Sequence, residues 1–167
     1  GTGSNIVALQ LMVRPFHSII CAETAHIYVD ECGSPVKNTG AQIRPVLTPD
    51  GKLTPELIRP YLHGFGDQHH SQPGAIYLSQ CTELGTVYTP GELKALTSLA
   101  HEHGMYVHMD GARIANACAY LKTSLKEITA DCGIDVLSFG GTKNGLMMGE
   151  CVVIFNEELK ASAAFVR

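Results

Sequence analysis

The chain has 167 residues, enough for one domain with a substantial buried core, and its hydrophobic content of 45% is ordinary for a globular protein. A formal net charge of −4 with no basic stripe argues against nucleic acid or an anionic membrane as the main partner. No apolar run approaches the roughly 20 residues that span a bilayer, and no signal peptide is visible.

In chain order, "GTGSN" places small residues ahead of a helix expected from Ser4 to Met12. "SIICA", Ser18 to Ala22, reads as a strand, and Ala25 to Glu31 as a short helix ended near Gly33 and Pro35. Gln42 to Leu47 is a strand, followed by a turn at Thr48–Gly51. Thr54 and Pro55 have the types favoured at the N-cap and first position of a helix. Residues 63–73 read as a polar loop and Gly74 to Gln80 as a strand. Thr89 to Gly104 carries a cap, a proline, an apolar stripe and a terminal glycine, all marks of a helix. "MYVHMD" is a strand, "ARIANACAYL" and "SLKEITADCG" are helices, Asp135 to Phe139 and "CVVIF" are strands, and a helix begins at Glu157.

Strands alternating with helices imply right-handed crossovers and a three-layer α/β/α sandwich around a mainly parallel sheet. Sites in such sheets form at the carboxyl ends of strands. The six cysteines (Cys21, Cys32, Cys81, Cys118, Cys132 and Cys151) are scattered without a C-x-x-C pair, so reduced thiols and a cytoplasmic setting are expected. The chain opens without Met and closes on a helix pattern with no stop signal, which suggests an interior piece of a longer protein.

Three segments carry candidate chemistry. "GTGSN" offers free backbone N–H groups at a helix N-terminus, with Gly allowing an anion to approach closely. It also reads as an ordinary capped helix start. "VHMDGAR" ends an apolar strand on Asp110, where an α/β site wants a charge; the plainer reading is a helix-capping Asp with Arg113 as its exposed partner. "SFGGTKNG" presents Lys143 in a glycine-rich turn after a strand, either as a solvated lysine or as an amine that does chemistry. The histidines His101, His103 and His108 with Asp110 raise a further possibility, a metal-dependent hydrolase. His101 and His103 are two apart on one helix, however, and so face different directions. Taken together, a strand-end Asp, a lysine after a later strand and an anion cup are the parts that a pyridoxal phosphate site requires: a partner for the ring nitrogen, an amine for the aldehyde and donors for the phosphate.

"GTGSN", "ETAHIYVDECG", "QCTELGTVY", "HMDGARIANA" and "SFGGTKNG" together resemble the low-specificity L-threonine aldolases of the beta-eliminating lyase family. These belong to the aspartate-aminotransferase-like, fold type I pyridoxal phosphate enzymes. The resemblance runs over nearly the whole chain and implies that residues 1–167 are the larger, cofactor-binding domain, without N-terminal residues and a smaller C-terminal domain. It implies pyridoxal 5'-phosphate as cofactor, an amino-acid substrate cleaved to glycine and an aldehyde, and a homodimer or homotetramer with sites at subunit boundaries. Lys143 would bond the cofactor, Asp110 would pair with its ring nitrogen and His26 would stack on the ring. Gly1, Thr2 and Gly3 would hold the phosphate, and Arg113 the substrate carboxylate. Glu83 stands where many relatives carry a second active-site histidine, so Glu83 and His26 are the candidate bases. Alternatives within this frame are another pyridoxal phosphate lyase acting on amino acids and a non-catalytic binding domain.

Overall fold

The computed structural model describes residues 1–166. Its strands are β1 (His17–Ala22), β2 (Gln42–Val46), β3 (Gln72–Ser79), β4 (Tyr106–Asp110), β5 (Val136–Gly140) and β6 (Glu150–Ile154). They form one sheet in the order β2–β1–β3–β4–β5–β6. Neighbours from β2 through β5 pair in parallel. β6 runs antiparallel to β5, because the link over residues 141–149 is too short to carry a crossover helix.

The period-two pattern of the strands divides the core into two layers. Ile20, Ala22, Ile76, Leu78, Val107, Met109 and Leu137 point to one face. There they pack against α4 (Pro55–Ile58), α5 (Pro90–Glu102) and α6 (Ile114–Leu121). Ile19, Cys21, Ala75, Tyr77 and Val136 point to the other, against α1 (Thr2–Met12) and Leu159 of α7 (Glu157–Lys160). The result is the expected α/β/α sandwich. The shorter helices are α2 (His26–Val29), α3 (Ser34–Thr39) and α8 (Ala163–Val166).

Local signals set the helix starts. Thr89 accepts from Glu92 N–H while Glu92 reaches back to the Thr89 N–H, a complete capping box, with Pro90 in the first turn. Thr54 accepts from Leu57 N–H ahead of Pro55. Three expectations shift. α1 begins at Thr2, two residues before the expected start. Pro35 opens α3 instead of ending a helix: Gly33 turns the chain in the left-handed region (φ 72°) and the proline then sits in the first turn, where no N–H is needed. The helix expected over 124–133 does not form, and only a 3₁₀ turn at Ala130–Cys132 appears there. Thr129 Oγ1 donates to Leu125 O at 2.6 Å. Asp131 N–H and Ile134 N–H reach five residues back, to Lys126 O and Thr129 O. The β-branched pair Ile128–Thr129 and this side-chain bond compete with a regular helix, while Ile128 and Cys132 are drawn into the core.

Asp135, just before β5, ties several layers together. Its Oδ2 accepts from Val107 N–H at 2.8 Å and lies 2.9 Å from His101 Nε2, and its Oδ1 accepts from Asn156 Nδ2 at 2.8 Å. Asp135→Ala leaves the buried Val107 N–H unpaired. The substitution is expected to cost about 1–3 kcal/mol, seen as a lower urea midpoint with an unchanged slope.

Candidate active site

The register aligns Ser79 with Asp110 and Asp110 with Ser138, so β3, β4 and β5 end side by side. The N-terminus of α1 comes over these ends, and a cavity of about 350 Å³ lies between them. Gly1, Thr2, His26, Asp110, Arg113 and Lys143 all line it. Segments as far apart as residues 1 and 143 thus meet at the carboxyl ends of the strands.

Asp110 is 6% exposed, and each of its oxygens is held. Oδ2 accepts from Asn5 Nδ2 at 3.0 Å and Tyr77 OH at 2.7 Å; Oδ1 accepts from Ala112 N–H at 2.9 Å. Burial pushes the carboxyl pKa up, but these hydrogen bonds more than offset it and hold the group below its ordinary value. A carboxylate has about four acceptor positions, and three are filled. The one left, on Oδ1, suits a single donor entering from the cavity. The helix-cap reading is thereby partly right, since Asp110 does bind Ala112 N–H, yet two further donors from α1 and β3 serve no cap.

Lys143 follows β5 in a 3₁₀ turn, Gly141–Asn144, and is exposed with no acidic partner among the described residues. The turn itself is fastened. Asn144 Nδ2 lies 2.7 Å from Gly140 O, 2.9 Å from Gly111 O and 3.1 Å from Ala112 O, and Asn144 Oδ1 accepts from Ala115 N–H at 2.9 Å. Asn144 therefore ties the lysine turn to the loop that follows Asp110. Gly140 is required where these turns touch, since a Cβ there would come within 2.8 Å of Ala112 Cα.

His26 opens α2 and lines the cavity, as does Arg113. Arg113 Nε and Nη2 donate to Cys81 O at 3.3 and 3.1 Å, which leaves Nη1 for another acceptor. Glu83 does not line the cavity. Its Oε1 accepts from Ser79 Oγ at 2.6 Å and His26 N–H at 3.3 Å, and lies 3.5 Å from Arg113 Nη2. Glu83 thus braces His26 and Arg113 from behind the wall.

At the anion cup, α1 has no side-chain cap, so the first N–H groups of the helix lack intrahelical acceptors and face outward. Gly1 and Thr2 line the cavity, whereas Gly3 lines an adjoining groove with Val7 and Leu11. Ser4 Oγ spends its hydrogen on Gly1 O at 2.6 Å and is no donor to a ligand. Glu150, exposed at the rim, does not suit an anion.

The metal reading of His101, His108 and Asp110 is overturned by placement. His101 lies in the α5 layer and pairs with Asp135, while His108 is buried on the opposite face, with Nε2 2.8 Å from Ser138 Oγ. His103 Nδ1 bonds Leu99 O. Among the described residues no three His, Cys, Asp or Glu converge as metal ligands. The site residues that sequence reasoning missed are Asn5, Glu31, Tyr77 and Asn144. Asn5 and Asn144 sit inside "GTGSN" and "KNG", but nothing in the sequence names their partners. Tyr77 lies opposite His108 on β4, two residues from Asp110. Only the register brings it there.

The wall residues fit pyridoxal 5'-phosphate. A buried ionised carboxylate has one acceptor position free, an amine with no acidic partner among the described residues stands on the same cavity, and an uncapped helix start opens beside them.

Burial drives the His108 pKa from 6.5 down to about 4, with the Asp110 charge pulling partly the other way. Between those values the unfolded chain binds a proton that the folded chain refuses, so stability is full above about 6.5 and falls as pH drops toward about 4. His108→Gln is expected to flatten that fall relative to the parent, as measured by urea unfolding at several pH values across this window.

The sequence matches the beta-eliminating lyase family over residues 1–167. The low specificity L-threonine aldolase of Pseudomonas aeruginosa is 46% identical over 160 residues, covering 95% of this chain and 46% of that protein. That of Saccharomyces cerevisiae is 35% identical over 130 residues, covering 76% of this chain and 33% of that protein. Among solved structures, a threonine aldolase of Leishmania major superposes with a TM-score of 0.90 at 35% identity, over 99% of this chain and 48% of that one. The chain spans about half the length, or less, of these relatives. With a match along its whole length and this agreement in fold, the chain belongs to the beta-eliminating lyase family.

Proposed function

We propose that the chain is the cofactor-binding larger domain of a pyridoxal 5'-phosphate-dependent aldehyde-lyase. The reaction is retro-aldol cleavage of L-threonine, L-allo-threonine and related β-hydroxy-α-amino acids to glycine and an aldehyde. The observation that carries it is the single cavity shared by Asp110, Lys143, His26 and the start of α1. The relatives named threonine aldolase support the choice of substrate.

When bound, the cofactor supplies an electron sink for the bond that breaks at Cα. Lys143 would hold it covalently through its exposed amine, and Asp110 would accept from its ring nitrogen at the free Oδ1 position. Gly1 and Thr2, with the neighbouring Gly3 N–H, would receive its phosphate, and His26 would cover its ring. Arg113 binds the substrate carboxylate with Nη1, since Cys81 O occupies Nε and Nη2. Glu83 keeps that guanidinium and the His26 backbone in place. His26 Nε2 takes the β-hydroxyl proton as the Cα–Cβ bond breaks and the aldehyde carbonyl forms. Closing over the substrate to exclude water falls to the rest of the full-length protein.

A homodimer or homotetramer is part of the same proposal. It is supported by Leu146, Met147 and Met148, which stand 55%, 99% and 88% exposed just beyond Lys143. A cytoplasmic setting is supported by six free cysteines, and neither nucleic acid nor membrane is a proposed partner. No helix among the described residues is long and apolar enough to cross a membrane.

The test uses the full-length enzyme with phenylserine and L-threonine. Lys143→Ala is expected to lose borohydride-trappable cofactor and nearly all turnover, and a trapped adduct that persists in this variant removes Lys143 from the role. Asp110→Asn is expected to keep the fold but lower kcat by roughly ten- to a hundredfold, the worth of one buried charged hydrogen bond expressed in the transition state.

A further inference from the structure

We propose that Glu31 and Asn5 are positioning residues of this site: Glu31 fixes the His26 ring in the tautomer that leaves Nε2 bare, and Asn5 locks that pair to Asp110. The inference rests on the functional reading above, in which His26 meets cofactor and substrate.

Glu31 lies just after α2, and its side chain is wholly buried. Its Oε1 lies 2.9 Å from His26 Nδ1 and accepts from Asn5 Nδ2 at 2.8 Å. Its Oε2 has no hydrogen-bond partner among the described residues. The carboxylate caps no helix and joins no strands; both of its partners belong to the cavity wall or its support. A buried carboxylate kept only for stability would be expected to have both oxygens satisfied. An ionised carboxylate can only accept, so in neutral His26 the hydrogen sits on Nδ1 and the lone pair on Nε2. This is the form that the proposed proton acceptance requires.

Asn5 carries the constraint across the site. It is 1% exposed, and its amide has two hydrogens. One goes to Glu31 Oε1 and the other to Asp110 Oδ2. One amide thus requires both carboxylates to be acceptors at once. Asn5 N–H also bonds Gly1 O, one turn back along α1. The helix that forms the anion cup therefore also aims the partner of the ring nitrogen and, through Glu31, the ring of His26. The group that covers the cofactor, the group that pairs with it and the groups that receive its phosphate are thus tied together through Asn5 of α1.

The experiment uses the full-length apoenzyme labelled with ¹⁵N at histidine, at a pH well above the ordinary histidine pKa of about 6.5. The His26 signals are assigned by their loss in His26→Asn. Long-range ¹H–¹⁵N spectra are expected to show His26 as the Nδ1–H tautomer. In Glu31→Gln the new amide can donate or accept, so a mixture of tautomers is expected. Pyridoxal 5'-phosphate is expected to bind that variant roughly tenfold more weakly, the loss typical of one charged hydrogen bond. Asn5→Ala should keep the tautomer but weaken the cofactor to a similar degree. An Nε2–H tautomer in the parent apoenzyme overturns the proposal whether or not the variants fold. So does Glu31→Gln with the parent's tautomer and cofactor affinity. A parent that binds no pyridoxal 5'-phosphate yet shows the tautomer shift in Glu31→Gln overturns the functional reading instead.

Discussion

The site depends on keeping one carboxylate ionised inside the protein. Asp110 ends β4 almost out of reach of water, where a lone carboxylate would take up a proton. Three donors prevent this, and they come from three places: Asn5 on α1, Tyr77 on β3 and the backbone of Ala112. Each fixes the position of its own element. α1 must lie across the sheet at the height where Asn5 meets Asp110, and that height brings its N-terminus over the cavity. β3 must pair with β4 in the register that sets Tyr77 beside His108. The loop after Asp110 must turn back at once, and Gly111 allows it, because a Cβ there would meet Leu137 Cδ1 at 2.6 Å. The charge that suits the chemistry also holds the architecture in register.

A second set of bonds keeps Lys143 on the same cavity as that charge. β4 and β5 are neighbours, so the chains leaving them run side by side. Asn144 bridges the two turns through backbone carbonyls of Gly111, Ala112 and Gly140. The fastening leaves the Lys143 amine itself without an acidic partner among the described residues. Rigid backbone with a free side chain suits the proposed covalent anchor, which would have to exchange partners without the turn rearranging. Glu83 likewise holds Arg113 and the His26 backbone, so that part of the cavity wall is braced as well.

Where sequence patterns and structure part, tertiary packing is the cause. "SLKEITADCG" has the composition of a helix. The core instead takes Ile128 and Cys132 from a tighter path, and Thr129 bonds the chain to itself on the way. Pro35 looked like a stop signal and is a start signal, because the residue that decides is Gly33 before it. The histidines near Asp110 looked like a cluster because they are close in sequence. The sheet lies between His101 and His108, and each has a partner of its own. Glu83 stands where many relatives carry a histidine, and its bonds to Ser79, the His26 N–H and Arg113 depend on strand packing that no local pattern announces.

The sequence by itself determined the alternation of strands and helices, hence the parallel sheet and its two covered faces. It also determined which residue types stand at the ends of elements: Asp110 closing β4, Lys143 just past β5, and the small residues opening α1. These are local facts, since periodicity, capping and glycine turns act over a few neighbours. Only the tertiary structure decided which donors keep Asp110 ionised, that Asn5 joins it to Glu31 and His26, and that Gly3 faces a different groove from Gly1 and Thr2. Such contacts depend on strand register and on the height of α1 across the sheet. The packing of the whole core sets both, and no short stretch of sequence carries that information.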